Sequence, residues 1–244
     1  MILDSTNYSG VSQLRPGQFA VPMFKQEFNT ALPDTPRLAS SIGGMTTLLR
    51  NREFDEIVET FEALPGETTS QRLSALERLI GDEIASSQVN AEEQALSRIF
   101  HLIQLWGGKS GRNIYVMGGG YAENYNVSAY RSMIQVAISG RPVPDAVSAA
   151  GQISHFGISF ATKHLRYWSL FAGDGSFAIY DKLMARGCMG HNQPSWSHYD
   201  RYLQELAVAA SALETTVNQL ERSCFGFFDS LEGHQWIKLR VTNN

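Results

Sequence analysis

From residue 46 onwards, apolar side chains recur three and four positions apart, the spacing that one buried face of an α-helix requires. "TTLLRNREFDEIVETFEAL" (46–64) carries this period and stops at Pro65-Gly66. "SQRLSALERLIGDEIA" (70–85) places Leu73, Leu76, Leu79, Ile80 and Ile84 on one face. "NAEEQALSRIFHLIQLW" (90–106) opens with Asn90 and Glu93 in capping-box spacing and ends at Gly107-Gly108. Further helices are predicted over "NVSAYRSMIQVAI" (126–138), "PDAVSAAGQI" (144–153), the stretch from Phe160 to Ala172, "YDKLMARG" (180–187), "WSHYDRYLQELAVAASAL" (196–213) and "TTVNQLERSCFGFFDSL" (215–231). Only "NIYVMGGGY" (113–121) reads as a short strand. Residues 1–45, rich in Pro, Gly, Ser and Thr, show no sustained period and predict an irregular N-terminal arm. The expectation is an all-α chain of about nine helices, with residues 46–244 forming a single compact helical unit that has room for two lobes.

Composition supports a globular reading: 43% of the 244 residues are hydrophobic and 18% charged. No apolar run approaches the ~20 residues of a membrane helix, so no membrane partner is expected. Cys188 and Cys224 form no CxxC pair, which disfavours a zinc ribbon or an iron–sulfur cluster and predicts a reducing, cytoplasmic setting. The net charge is −4, yet residues 101–190 hold 8 basic against 4 acidic side chains. A polyanion needs a local basic face rather than a basic protein, so nucleic acid stays in view.

Motifs narrow the chemistry. "GGKS" (107–110) is not a phosphate-binding loop, because Ile103 stands where that loop needs a glycine and a helix precedes it. Six histidines occur without an HExxH pattern, so neither a metal nor another cofactor is expected. Residues 144–172 read as two helices joined through "SHFGIS" by a tight glycine-containing turn. Such a hairpin offers backbone N–H groups and a helix N-terminus to a phosphate; it is also an ordinary helix–helix connection.

On a wheel of about 100° per residue, Phe160, Ala161, His164, Leu165, Tyr167, Trp168, Phe171 and Ala172 fill one arc, with Ser159, Thr162, Arg166 and Ser169 opposite. Lys163 falls at the border. A border lysine ordinarily lays its stem on the apolar face and keeps its amine in water. The same position, partly desolvated, suits a nucleophile. Asp181, eighteen residues on, stands at the start of the next helix, where a carboxylate can cap the backbone.

A helical hairpin, a lysine just inside its second helix and an aspartate about eighteen residues later resemble the helix-hairpin-helix DNA glycosylases, and more narrowly the 8-oxoguanine glycosylase branch. The similarity is clearest over residues 144–190. Ser159 stands where that hairpin usually carries its second glycine. The resemblance implies Lys163 as nucleophile and Asp181 as essential carboxylate, with His155, Gly157 and Ser159 in a phosphate-binding hairpin. It implies double-stranded DNA with a damaged or modified base as partner, the base being an oxidised purine or a modified base of invading phage DNA. Lys109, Arg112, Arg131 and Arg141 become candidate phosphate contacts, and Trp106 and Trp168 candidates to stack on a base or wedge the duplex. Two other readings are a non-catalytic helix-hairpin-helix DNA-binding module, which would release no base, and a helical protein-interaction domain, which would bind no DNA.

Overall fold

The computed structural model describes residues 1–6, 8–23, 34–87, 91–140 and 143–242. In chain order the elements are β1 (Ile2–Asp4), α1 (Tyr8–Ser12), β2 (Val21–Met23), α2 (Pro36–Arg50), α3 (Asp55–Glu62), α4 (Thr69–Ser86), α5 (Glu93–Gly107), a 3-10 turn (Gly108–Gly111), α6 (Asn113–Val116), α7 (Tyr121–Asn124), α8 (Val127–Ser139), α9 (Val143–Ala150), α10 (Ile158–Ala172), α11 (Lys182–Met189), α12 (Trp196–Ala212), α13 (Val217–Phe228) and α14 (Leu231–Thr242). The fold is all-α, as expected, and none of the described helices is long and apolar enough to cross a membrane.

Several elements differ from the sequence reading. The described residues of 1–45 are not irregular throughout: they hold β1, α1 and β2, and α2 already begins at Pro36 behind the N-cap Thr35. The expected strand at 113–117 is the short helix α6, and the strands lie instead at the N-terminus, paired in parallel with Ile2 opposite Val21. The single helix expected over 46–64 is interrupted after Arg50, where Glu53 takes a left-handed φ of 66°. Thr68 and Gln71 make a reciprocal capping box at the start of α4. The capping box expected at Asn90 lies outside the described residues.

The chain divides into two compact units, Leu32–Asp174 and Met1–Ala31 with Gly175–Asn244. In the first, α10 is the central helix and packs against α8, α4, α5 and α9. Every residue from Phe160 to Ser169 is buried, so α10 has no wet face over this stretch. Its polar side chains are matched internally: Arg166 pairs with Glu77 at 2.8 Å, Thr162 donates to the Ile158 carbonyl at 2.9 Å, and Ser169 meets Asp174 at 3.4 Å. Buried polar groups persist where partners replace water.

In the second unit, α11 packs on α13 and α14, and α1 packs on α14. Trp236 donates its indole N–H to the Gly187 carbonyl at 3.0 Å, and the hydroxyls of Tyr199 and Tyr202 reach the carbonyls of Ala178 and Ile179. The N-terminal segment is tied in by Gly17 and Ala20, whose amides donate to the carbonyls of Met189 and Cys188.

Candidate active site

The connection between α9 and α10 carries the first part of the site. His155 takes a left-handed φ of 58° in this turn, and Gly157 caps α10 without any side-chain hydrogen bond. The amides of Phe160 and Ala161 both donate to the Gly157 carbonyl, at 2.9 and 3.0 Å. The amides of Ile158 and Ser159 head the helix, at the positive end of its dipole. They border a cleft of about 240 Å³ lined by Ser110, Gly111, Asn113, His155, Gly157, Ser159 and Phe160 among others. A Cβ at Gly157 would meet nothing within 4 Å, so backbone is open to an incoming group there.

Lys163 stands one turn further along α10. It is only 7% exposed, so it is not the wet border lysine that the wheel allowed. Its amine donates to the Ser159 carbonyl at 3.1 Å and lies 4.7 Å from the Phe160 ring centre. Its stem fits a slot created by Gly107: a Cβ there would collide with Phe160 and stand 3.2 Å from Lys163 Cδ. A Cβ at Gly111 would likewise collide with Phe160 and with Gln104 Oε1. The glycine-rich stretch that fails as a phosphate loop thus admits the amine and its aromatic neighbour to the helix interface.

Behind Lys163 lies a buried polar chain. Trp168 donates to the Tyr130 hydroxyl at 3.0 Å, that hydroxyl meets His164 Nδ1 at 2.9 Å, and His164 Nε2 lies 3.4 Å from Gln104 Nε2. Burial first, then the charges of Lys163 and His101, holds His164 well below the usual imidazole range, so its ring is neutral near pH 7. Gln104 Oε1 has no hydrogen-bond partner among the described residues. Sequence spacing could not reveal this chain, because Gln104, Tyr130 and His164 come from three helices.

Asp181 belongs to the other unit, at the start of α11. Its Oδ1 accepts from the amides of Leu183 at 2.9 Å and Met184 at 3.1 Å. The cap expected from sequence is present and fixes the carboxylate relative to α11.

The remaining candidates separate. Lys109 and Arg112 are exposed, close to the cleft residues Ser110 and Gly111 in the chain. Arg131 donates to the Ala91 carbonyl at 2.7 Å, which makes it a tie to that backbone. Arg141 lies outside the described residues. Trp106 is partly buried and meets Tyr167 edge-on at 5.4 Å. Trp168 is 1% exposed and hydrogen-bonded to Tyr130, so it belongs to the core, which corrects its candidacy as a wedge. An apolar pair the sequence reading missed, Val116 and Met117, is exposed next to Gly118, whose Cβ position is 3.7 Å from His155 Nε2.

The Leu32–Asp174 unit thus brings together an interior amine, an open helix N-terminus, and exposed cations and apolar groups near the cleft residues in the chain. Residues 49–225 match the family model described as "Putative 8-oxoguanine DNA glycosylase OGG-like protein", and the chain belongs to that family. The matched span takes in the α9–α10 turn, Lys163 and Asp181. No curated protein and no solved structure matches the chain.

Proposed function

We propose that this protein excises a damaged or modified base from duplex DNA, with Lys163 as the nucleophile and Asp181 as the charge-stabilising carboxylate. The observation that carries the reading is the interior position of the Lys163 amine, bonded to Ser159 on the wall of the cleft. A lysine held for packing alone would direct its amine to water.

The chemistry follows from the groups. The target nucleotide leaves the base stack, because the glycosidic bond is otherwise out of reach. As that bond breaks, its electron pair leaves with the base and positive charge develops on the sugar, where the Asp181 carboxylate stabilises it. The Lys163 amine attacks the sugar C1′ through its lone pair, and as the sugar ring opens one amine proton passes to the ring oxygen, leaving a protonated imine between Nζ and C1′. The imine withdraws electrons, so a proton leaves C2′ and the 3′ phosphate is expelled, which cuts the strand. The hairpin amides at Ile158 and Ser159, with Lys109 and Arg112, hold backbone phosphates. Met117 fills the space left by the extruded base. The substrate class we assign is an oxidised purine, in line with the description of the family, and a modified base of phage DNA is the second candidate within the same chemistry.

The test is borohydride reduction in the presence of duplexes carrying 8-oxoguanine, a panel of modified bases, or an abasic site. The reading expects a covalent protein–DNA adduct whose cross-linked peptide contains Lys163. Released base without an adduct would retain the glycosylase and remove the lyase step. Neither released base nor adduct on any substrate would overturn the reading.

A further inference from the structure

A second cluster of cationic groups lies in the unit formed by Met1–Ala31 and Gly175–Asn244, outside the α9–α10 hairpin. The imidazoles of His191 and His198 stack with ring centres 3.9 Å apart and planes 11° from parallel. Gly17, at a left-handed φ of 78°, presents bare backbone to them. A Cβ at Gly17 would stand 3.6 Å from His191 Nε2 and 3.9 Å from an Arg201 terminal nitrogen, so imidazole and guanidinium converge on one point. Behind them Arg240 is 1% exposed. One of its nitrogens donates to the carbonyls of Gln18 and Cys188, and its Nε and Nη1 have no partner among the described residues. His198 Nδ1 is likewise enclosed without a partner.

The charges that act on His191 are cationic. They come from His198 and Arg201 on α12 and Arg240 on α14. Arg201 in turn stands 3.9 Å from Glu205 in a largely exposed pair. Burial first, then these cations, holds His191 below the usual imidazole range. Parallel stacked rings do not aim two lone pairs at one ion, so a metal is not the natural occupant. Donors of one sign around bare backbone suit an oxyanion.

We propose that His191, His198 and Arg201 form a binding corner for a phosphate oxyanion, with Arg240 supplying buried positive charge behind it. The oxygens come from a DNA phosphodiester or from free phosphate, which share this chemistry. An arriving anion offsets the repulsion that the neighbouring cations exert on a protonated His191, so protonation of His191 and anion binding favour one another and binding tightens as pH falls.

The experiment is NMR of the histidine ring signals in the full chain, with His191→Gln and His198→Gln spectra assigning the two. Inorganic phosphate is titrated at constant ionic strength at pH 6 and pH 8. Phosphate gains negative charge over this interval, so tighter binding at the lower pH runs against the change in the probe's charge and points to protonation of the protein. Saturable shifts of both rings are expected, with affinity about tenfold higher at pH 6 and lost by roughly tenfold or more in Arg201→Gln. Arg201 is 58% exposed in its side chain, so that variant retains the fold. A short duplex with an uncleavable abasic analogue is titrated in parallel. Shifts of the same rings by the duplex, with a salt slope flatter by about one in Arg201→Gln, assign the corner to the DNA backbone. Shifts with inorganic phosphate alone assign it to a free phosphate. No saturable shift with either probe, or binding that weakens as pH falls, overturns the proposal. The duplex arm rests on the glycosylase reading and the inorganic phosphate arm does not. Failure of duplex binding altogether, with phosphate still bound, therefore counts against that reading and not against the corner.

Discussion

The amine of Lys163 donates to the Ser159 carbonyl at 3.1 Å, one turn back on the same helix. The bond holds the amine toward the N-terminal end of α10, where Ser159 lines the cleft. Lys163→Gln is one atom shorter and keeps an N–H donor but provides no amine to form an imine. Borohydride trapping is expected to vanish while duplex affinity stays within about threefold, since backbone contacts dominate such interfaces. Gel electrophoresis of trapped complexes checks the first point and fluorescence anisotropy the second. Undiminished trapping in this variant would assign the nucleophile to another amine.

Asp181 allows the structural and chemical parts of a residue to be separated. Its Oδ1 accepts from two backbone amides, a task that asparagine also performs well. Asp181→Asn is expected to retain stability but slow excision by roughly 10²–10³-fold. Asp181→Ala loses the cap as well and is expected to lower stability by about 1 kcal/mol. Denaturant melts and single-turnover excision read the two effects side by side. Equal melts for both variants would show that the cap contributes nothing measurable.

Two glycines predict opposite outcomes for the same methyl. At Gly111 it would collide with Phe160 and Gln104 Oε1, both held in the core. Gly111→Ala should therefore cost roughly 1–3 kcal/mol by overpacking. At Gly43, inside α2, it would meet nothing within 4 Å. Gly43→Ala should stabilise by about 0.5–1 kcal/mol, as alanine does in a helix interior. Thermal melts of the pair check the sign. A stable Gly111→Ala variant would mean that Phe160 can move away without cost.

What the sequence revealed divides along local and non-local lines. The cap at Asp181 was legible because it needs only the two amides that follow it. The burial of α10 was not: its opposite face carries Thr162, Arg166 and Ser169, and a wheel assigns such residues to water. Arg166 is buried because Glu77 meets it from 89 positions away, and no periodicity encodes that pairing. The strand expected at 113–117 rested on a short run of β-favouring residues. There Tyr115 turns inward to meet His101 Nδ1 at 2.8 Å, and the segment closes a helical turn instead. The helix expected over 46–64 ran on because no glycine or proline marks the break near Glu53. Lys163 was legible as a candidate, but its burial depends on Gly107 and Phe160 meeting across two helices.

The two buried imidazoles of the Leu32–Asp174 unit set a pH limit on stability. Burial pushes His101 down to about 3, and burial with the charges of Lys163 and His101 pushes His164 well below its ordinary value. An unfolded histidine takes up its proton near pH 6.5, whereas these two remain neutral in the folded chain. Below that pH the unfolded state binds more protons than the folded state, so stability is full above about 6.5 and falls as the solution is acidified toward 3. Each histidine contributes a slope of up to about 1.4 kcal/mol per pH unit, and two together lower stability by roughly 4 kcal/mol between pH 7 and pH 5. Urea denaturation at those two pH values measures the loss. His101→Gln costs stability at pH 7, because the Tyr115 hydroxyl loses its ring partner. It should nevertheless remove about half of the pH dependence, since glutamine does not titrate. A slope unchanged in this variant would place the acid sensitivity on other groups.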